Sequence, residues 1–133
     1  MEIINIVVLS LSGILLIYAG TMRLIKPLNS LCLKNYLDNP QIILEYKLDI
    51  FNEMRGAGTS TSFGGIVILL GIIIAELSLA SFVVAIVIFL GHALGRLVSL
   101  RLDGKPNKQL AQGLISELVL GAANVFCLVN MLV

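Results

Sequence analysis

The sequence predicts an all-α protein, a four-transmembrane-helix bundle with a cytoplasmic amphipathic segment between helices 1 and 2. Three observations carry the prediction. Of the 133 residues, 58% are hydrophobic and 13% charged, and the mean hydropathy is +1.01, a composition that cannot give an ordinary soluble domain its polar surface. Apolar runs close to the roughly 20 residues needed to cross a bilayer recur four times. All nine lysines and arginines fall in, or at the border of, two of the connections between those runs. The length leaves room for one integral membrane domain over residues 1–133 and for no second domain.

The first span is expected at residues 3–22, about 30 Å of helix at 1.5 Å per residue, which matches the hydrocarbon thickness. No basic residue precedes it, while Arg23 and Lys26 follow it. That is the reverse of an export signal, so the run is expected to be an uncleaved anchor. Asn5 and Ser12 share one face and are expected to hydrogen-bond to neighbouring helices. Tyr18, one turn from the end, reads as an interface anchor or as pocket wall.

From Arg23 to Gly56 the charges alternate in sign, and Pro27 and Pro40 punctuate the segment. It is too charged to cross the bilayer. Asn39 is a suitable N-cap with Pro40 at the first helical position, so the following residues read as an amphipathic surface helix that can run directly into the second span. Its apolar side (Ile43, Tyr46 and Ile50, with Leu44, Leu48 and Phe51 adjacent) fits either the headgroup region or a place against the bundle.

The second span, 57–75, opens with the small and hydroxyl-rich GTSTSFGG. Glu76 and Leu77 alone separate it from the third, 78–98, so the two helices form an antiparallel hairpin. Leu102 to Pro106, LDGKP, is a turn sequence, with Asp-Gly permitting reversal and Pro106 stopping the helix. The fourth span, 110–133, carries a single charge, Glu117.

The basic residues orient the bundle. Five lie between the first and second spans and four at or beyond the end of the third, which puts both long connections in the cytoplasm and both termini outside. The same bias argues against a dual-topology protein.

An ionisable side chain at the centre of a span costs roughly 2.5–3.5 kcal/mol, so each one asks for an explanation. There are three: His92, Arg96 and Glu117. His92, Arg96 and Ser99 share one face of the third helix, and Glu117, Gly121 and Asn124 share one face of the fourth. Counted from the cytoplasmic ends, Arg96 lies about 6 Å deep and His92 and Glu117 about 10–12 Å, so the three can meet. Thr59 and Ser60 fall at a similar depth, with Glu53 and Arg55 just outside. These residues define a polar pocket in the cytoplasmic half. In one reading Arg96 binds an anionic or carbonyl group while Glu117 or His92 moves a proton. In the other, Arg96 and Glu117 form an interhelical ion pair that fixes register, with His92 hydrogen-bonded beside it.

GHALG, Gly91 to Gly95, is a GxxxG pair that is expected to let another helix approach closely, and Gly64, Gly65 and Gly71 offer comparable positions on the second helix. GAGTSTSFGG lacks the P-loop lysine and a preceding strand, which excludes a nucleotide site. Cys32 and Cys127 form no CxxC, have no ligand-spaced partners and fall on opposite sides of the membrane. No metal site, cofactor or disulfide is expected.

Glu53 to Gly58 (EMRGAG), the pair Gly64 and Gly65, Gly95 to Pro106 (GRLVSLRLDGKP) and Glu117 together resemble a family of small bacterial four-helix membrane proteins that carry a domain of unknown function. The resemblance spans nearly the whole chain. Its most specific element is G-R-x-x-S-x-x-x-D-G-x-P, and the glycine pair comes later here than in the family pattern. Glu53, Arg55, Arg96, Ser99, Asp103, Gly104 and Glu117 match the family's polar positions. The resemblance implies a fold and a bacterial inner-membrane location, and no activity.

Three functions compete. The first is a non-enzymatic accessory subunit or a protein that binds a lipid or other small molecule. The second is a membrane-embedded enzyme on a lipid, isoprenoid or quinone-like substrate, with Glu117 and His92 as acid and base and Arg96 as electrostatic stabiliser. The third is a small transporter. The expected partners are the bilayer, another membrane protein or a second copy of the chain, and a small hydrophobic ligand. With a net charge of +1, nucleic acid is not among them.

Overall fold

The computed structural model describes residues 2–27, 40–106 and 108–133, with the backbone alone for 40–47 and 109. They form four α-helices: α1 (Ile3–Ile25), α2 (Pro40–Ile73), α3 (Ser78–Leu102) and α4 (Lys108–Leu132). Each contains a stretch long and apolar enough to cross a membrane, and the chain is a multi-pass membrane protein. The helices run past the expected ends of the spans because charge stops a chain from entering hydrocarbon but does not stop backbone hydrogen bonding.

The clearest case is α2. Pro40 is the first helical residue, and the helix continues without a break to Ile73, about 51 Å at 1.5 Å per residue. The amphipathic segment is therefore the leading part of the second span's own helix. Asn39, Cys32 and the side chains of Ile43, Leu44 and Tyr46 lie outside the described residues.

Helix order around the bundle is α1, α2, α3, α4, with α2 and α4 on a diagonal and, among the described residues, no Cα of one within 8 Å of a Cα of the other. The most extensive contact, α1 on α2, follows from four glycines. A Cβ built on Gly58 would stand 2.7 Å from the Gly20 carbonyl oxygen, and one on Gly65 would stand 2.8 Å from that of Gly13. Two glycine pairs, each seven residues apart on antiparallel helices, thus let the backbones themselves meet.

The α2–α3 hairpin turns through Ala75–Leu77, a single 3-10 turn. Ser78 Oγ donates to the Gly71 carbonyl at 2.9 Å, and Ser81 Oγ donates to that of Val67 at 2.9 Å. Near this turn the core collects Leu9, Leu16, Ile68, Phe82, Ala85, Phe89 and Cys127. Cys127 is a free, buried thiol. Asn124 Nδ2 donates to Ser12 Oγ at 2.8 Å, which fastens α4 to α1 as the placement of Ser12 anticipates. Asn5 is buried, but its Oδ1 has no hydrogen-bond partner. Tyr18 is exposed.

At the opposite end α3 stops at LDGKP. The Asp103 N–H donates to the Ser99 carbonyl at 2.7 Å, and Gly104 takes φ +101°, the left-handed geometry that glycine adopts without penalty. Apolar packing is concentrated toward the Ala75–Leu77 end, which leaves the end holding Arg23, Glu53 and Asp103 for the site.

Candidate functional site

The α2–α3 hairpin closes tightly where Gly64 accommodates Ile88 and Gly71 accommodates Ser81. Past Gly64 the two helices separate. A Cβ built on Gly91 or Gly95 meets nothing within 4 Å, so the GHALG pair does not seat a neighbouring helix. That expectation is corrected: both glycines open onto a cavity of about 960 Å³. The spacing permits close approach, but α2's small face at this level is taken by α1 through Gly58.

The cavity runs along α3 from Val87 to Asp103, about 24 Å of helix. Met54 and Ala57 of α2 and Leu110 and Leu114 of α4 supply apolar wall, and Arg23 of α1 enters from the side. Val87 is 65% exposed and lies on the same outward face of α3 as the exposed Val83 and Leu94. The cavity therefore opens sideways between α2 and α3 at the depth of the spans, with its charged end toward the LDGKP turn.

Arg96 and Glu117 meet as their spacing anticipates. Arg96 Nε donates to Glu117 Oε1 at 3.1 Å. Oε2 is nearer, at 2.8 Å, but approaches outside the N–H direction and has no hydrogen bond of its own. The side chains are 22% and 13% exposed, enough burial for removal of one partner to leave a costly charge. The guanidinium lies over Gly113, where a built Cβ would stand 3.4 Å from Nη1. Glu117 does not line the cavity, whereas Arg96 does.

His92 is set by its own helix. Its Nδ1 lies 2.8 Å from the Ile88 carbonyl oxygen, which can only accept, so Nδ1 carries the proton. In the neutral ring Nε2 then presents a lone pair, and Arg23 Nη1 stands 3.5 Å from it. Among the described residues Arg96–Glu117 is the one ion pair, so no described carboxylate is in ion-pair contact with Arg23.

The remaining candidates divide. Glu53 and Ser99 line the cavity, and Ser99 Oγ donates to Asp103 Oδ2 at 2.8 Å. Arg55, Thr59 and Ser60 are not brought to it. Arg55 lies 5.9 Å over the Phe51 ring, and Thr59 Oγ1 donates back to the Arg55 carbonyl at 2.9 Å. Ser60 is exposed. Sequence reasoning missed Arg23 and Lys105 as lining residues and Gly113 as the seat of the guanidinium. The available signal for Arg23 was its place as the first cation after an apolar run.

Comparison with known proteins matches the chain to a family model. The model of a family described as a domain of unknown function, DUF4345, covers residues 4–128 of the chain. No curated protein and no solved structure matches it.

Proposed function

We propose that this chain, which belongs to the DUF4345 family, is a binding protein for a lipid or another amphiphilic small molecule of the bacterial inner membrane. The observation that carries this reading is the shape of the cavity: one continuous space of about 960 Å³ that joins charged groups at one end to an apolar sideways opening at the other. A cavity of this size accommodates a small molecule. Its opening at span depth would admit a ligand from the bilayer, which a site for a water-soluble ligand does not need.

The reading includes an orientation. The grouping of basic residues in the two long connections supports a charged end in the cytoplasmic leaflet and both termini outside. Within this reading Arg96–Glu117 fixes the register of α3 and α4 and also forms a wall of the cavity. An accessory role, in which the bound amphiphile is presented to a second membrane protein, is compatible with the same site. A second reading, catalysis on the bound molecule, rests on His92, whose Nε2 lies 3.5 Å from Arg23 Nη1 at the cavity wall. Glu117 is less suited to acid-base work, because Arg96 holds it outside the lining.

Gly91→Leu tests the binding function. The added side chain starts in open space and projects into the cavity, narrowing it. Mass spectrometry of small molecules co-purifying in mild detergent should find a specific amphiphile with wild type and not with the folded Gly91→Leu variant. The same molecules in both samples would refute the reading.

A further inference from the structure

We propose that the ligand of this cavity is an amphiphile with an anionic head, a carboxylate or a phosphate, seated between Arg23 and Arg96 with its chain directed toward Val87. The inference rests on the binding function above and specifies its ligand.

The charges are not evenly placed within the cavity. Glu53, Asp103 and Lys105 are exposed, whereas Arg23 and Arg96 are only partly so. Exposed charges are screened by water, and partly buried ones act at lower effective dielectric, so the two arginines dominate the potential of the inner cavity. Glu117 offsets Arg96. Among the described residues no carboxylate forms an ion pair with Arg23, whose Nη1 lies 3.5 Å from the ring of His92, and the carboxylates that share the cavity, Glu53 and Asp103, are exposed. A cation held in the wall of a membrane protein without a counter-ion is costly, and an anion in the cavity would supply that counter-ion.

Arg96 can take part without losing Glu117. Its hydrogen bond to the carboxylate uses Nε, and among the described residues no hydrogen bond engages Nη1 or Nη2. Guanidinium groups recognise carboxylate and phosphate through pairs of N–H donors. Arg23 stands beside His92, one helical turn from Arg96, so the two guanidiniums border the same space. From that level the lining turns apolar through Ile88 to Val87. A head without a chain would leave this part of the cavity unused, and a chain without a charged head would leave Arg23 uncompensated.

The test titrates the purified chain with dodecyl phosphate, dodecanol and inorganic phosphate and counts bound ligand by native mass spectrometry. Wild type should bind one dodecyl phosphate per chain at least tenfold more tightly than dodecanol, and should not retain inorganic phosphate. Arg23→Gln should lower dodecyl phosphate affinity to that of dodecanol, Arg23→Lys should restore part of the difference, and Gly91→Leu should abolish binding of both, with unchanged thermal unfolding as the check on folding. Equal affinity for dodecyl phosphate and dodecanol, lost in Gly91→Leu and indifferent to Arg23→Gln, would overturn the anionic head while leaving the binding function standing. Retention of inorganic phosphate as tightly as dodecyl phosphate would replace the amphiphile by a free anion. Failure of both amphiphiles to saturate would overturn this inference together with the function beneath it.

Discussion

His92 shows how far one side chain's surroundings determine what it can do. The Ile88 carbonyl accepts a hydrogen bond from its Nδ1–H, and Arg23 faces its other nitrogen. Arg96 is constrained in the same way by Glu117. Because both members of that pair are mostly buried, Arg96→Ala or Glu117→Ala alone should destabilise the fold by about 3 kcal/mol through the charge left behind. The Arg96→Met, Glu117→Leu double variant should recover most of that loss, measured by thermal unfolding in detergent. It should also bind dodecyl phosphate more weakly than wild type, which a purely structural pair would not predict. The meeting of Arg96 and Glu117 was legible in the sequence, since their depths from the span ends agree. Arg23 was not, because the rotation of α1 relative to α3 depends on glycine packing elsewhere. Thr59 and Ser60 were misleading for a related reason: depth can be counted along a helix, but facing is set by its neighbours.

At the scale of the helices, glycine acts in two opposite ways. Gly20 with Gly58, and Gly13 with Gly65, bring α1 and α2 into backbone contact. Gly58→Ala or Gly65→Ala should therefore force the helices apart and cost about 1–3 kcal/mol. Gly91 and Gly95 border empty space. There an alanine removes glycine's conformational freedom without a clash, and Gly95→Ala should raise stability by up to about 1 kcal/mol. Unfolding midpoints of the three single variants check both signs. A GxxxG spacing identifies surfaces that can be approached, yet it carries no information about whether an approach occurs. The close approach uses instead the seven-residue spacing of Gly13 and Gly20, which the sequence reading passed over. The long α2 was legible from Pro40 and the absence of a breaker before the second span, as were the α2–α3 hairpin and the glycine that ends α3.

For the whole molecule, four apolar runs and the grouping of basic residues made the class readable from the pattern of the sequence. The cavity was not readable, because it arises where α2 and α3 part and α2 and α4 stand apart on the bundle's diagonal. Orientation can be tested directly. In a Cys32→Ser background, Glu76→Cys should react with an impermeant maleimide on intact cells, while Lys105→Cys should react only after permeabilisation. The central claim, that an amphiphile lies in the cavity between α2 and α3, is tested most directly by methyl NOEs. Protonated dodecyl phosphate in an otherwise deuterated micelle should give NOEs to the methyls of Met54, Val87, Ile88 and Leu114, and these should vanish in Gly91→Leu. NOEs spread instead over outward residues such as Ile3, Ile14 and Val119, and unchanged in that variant, would contradict the account.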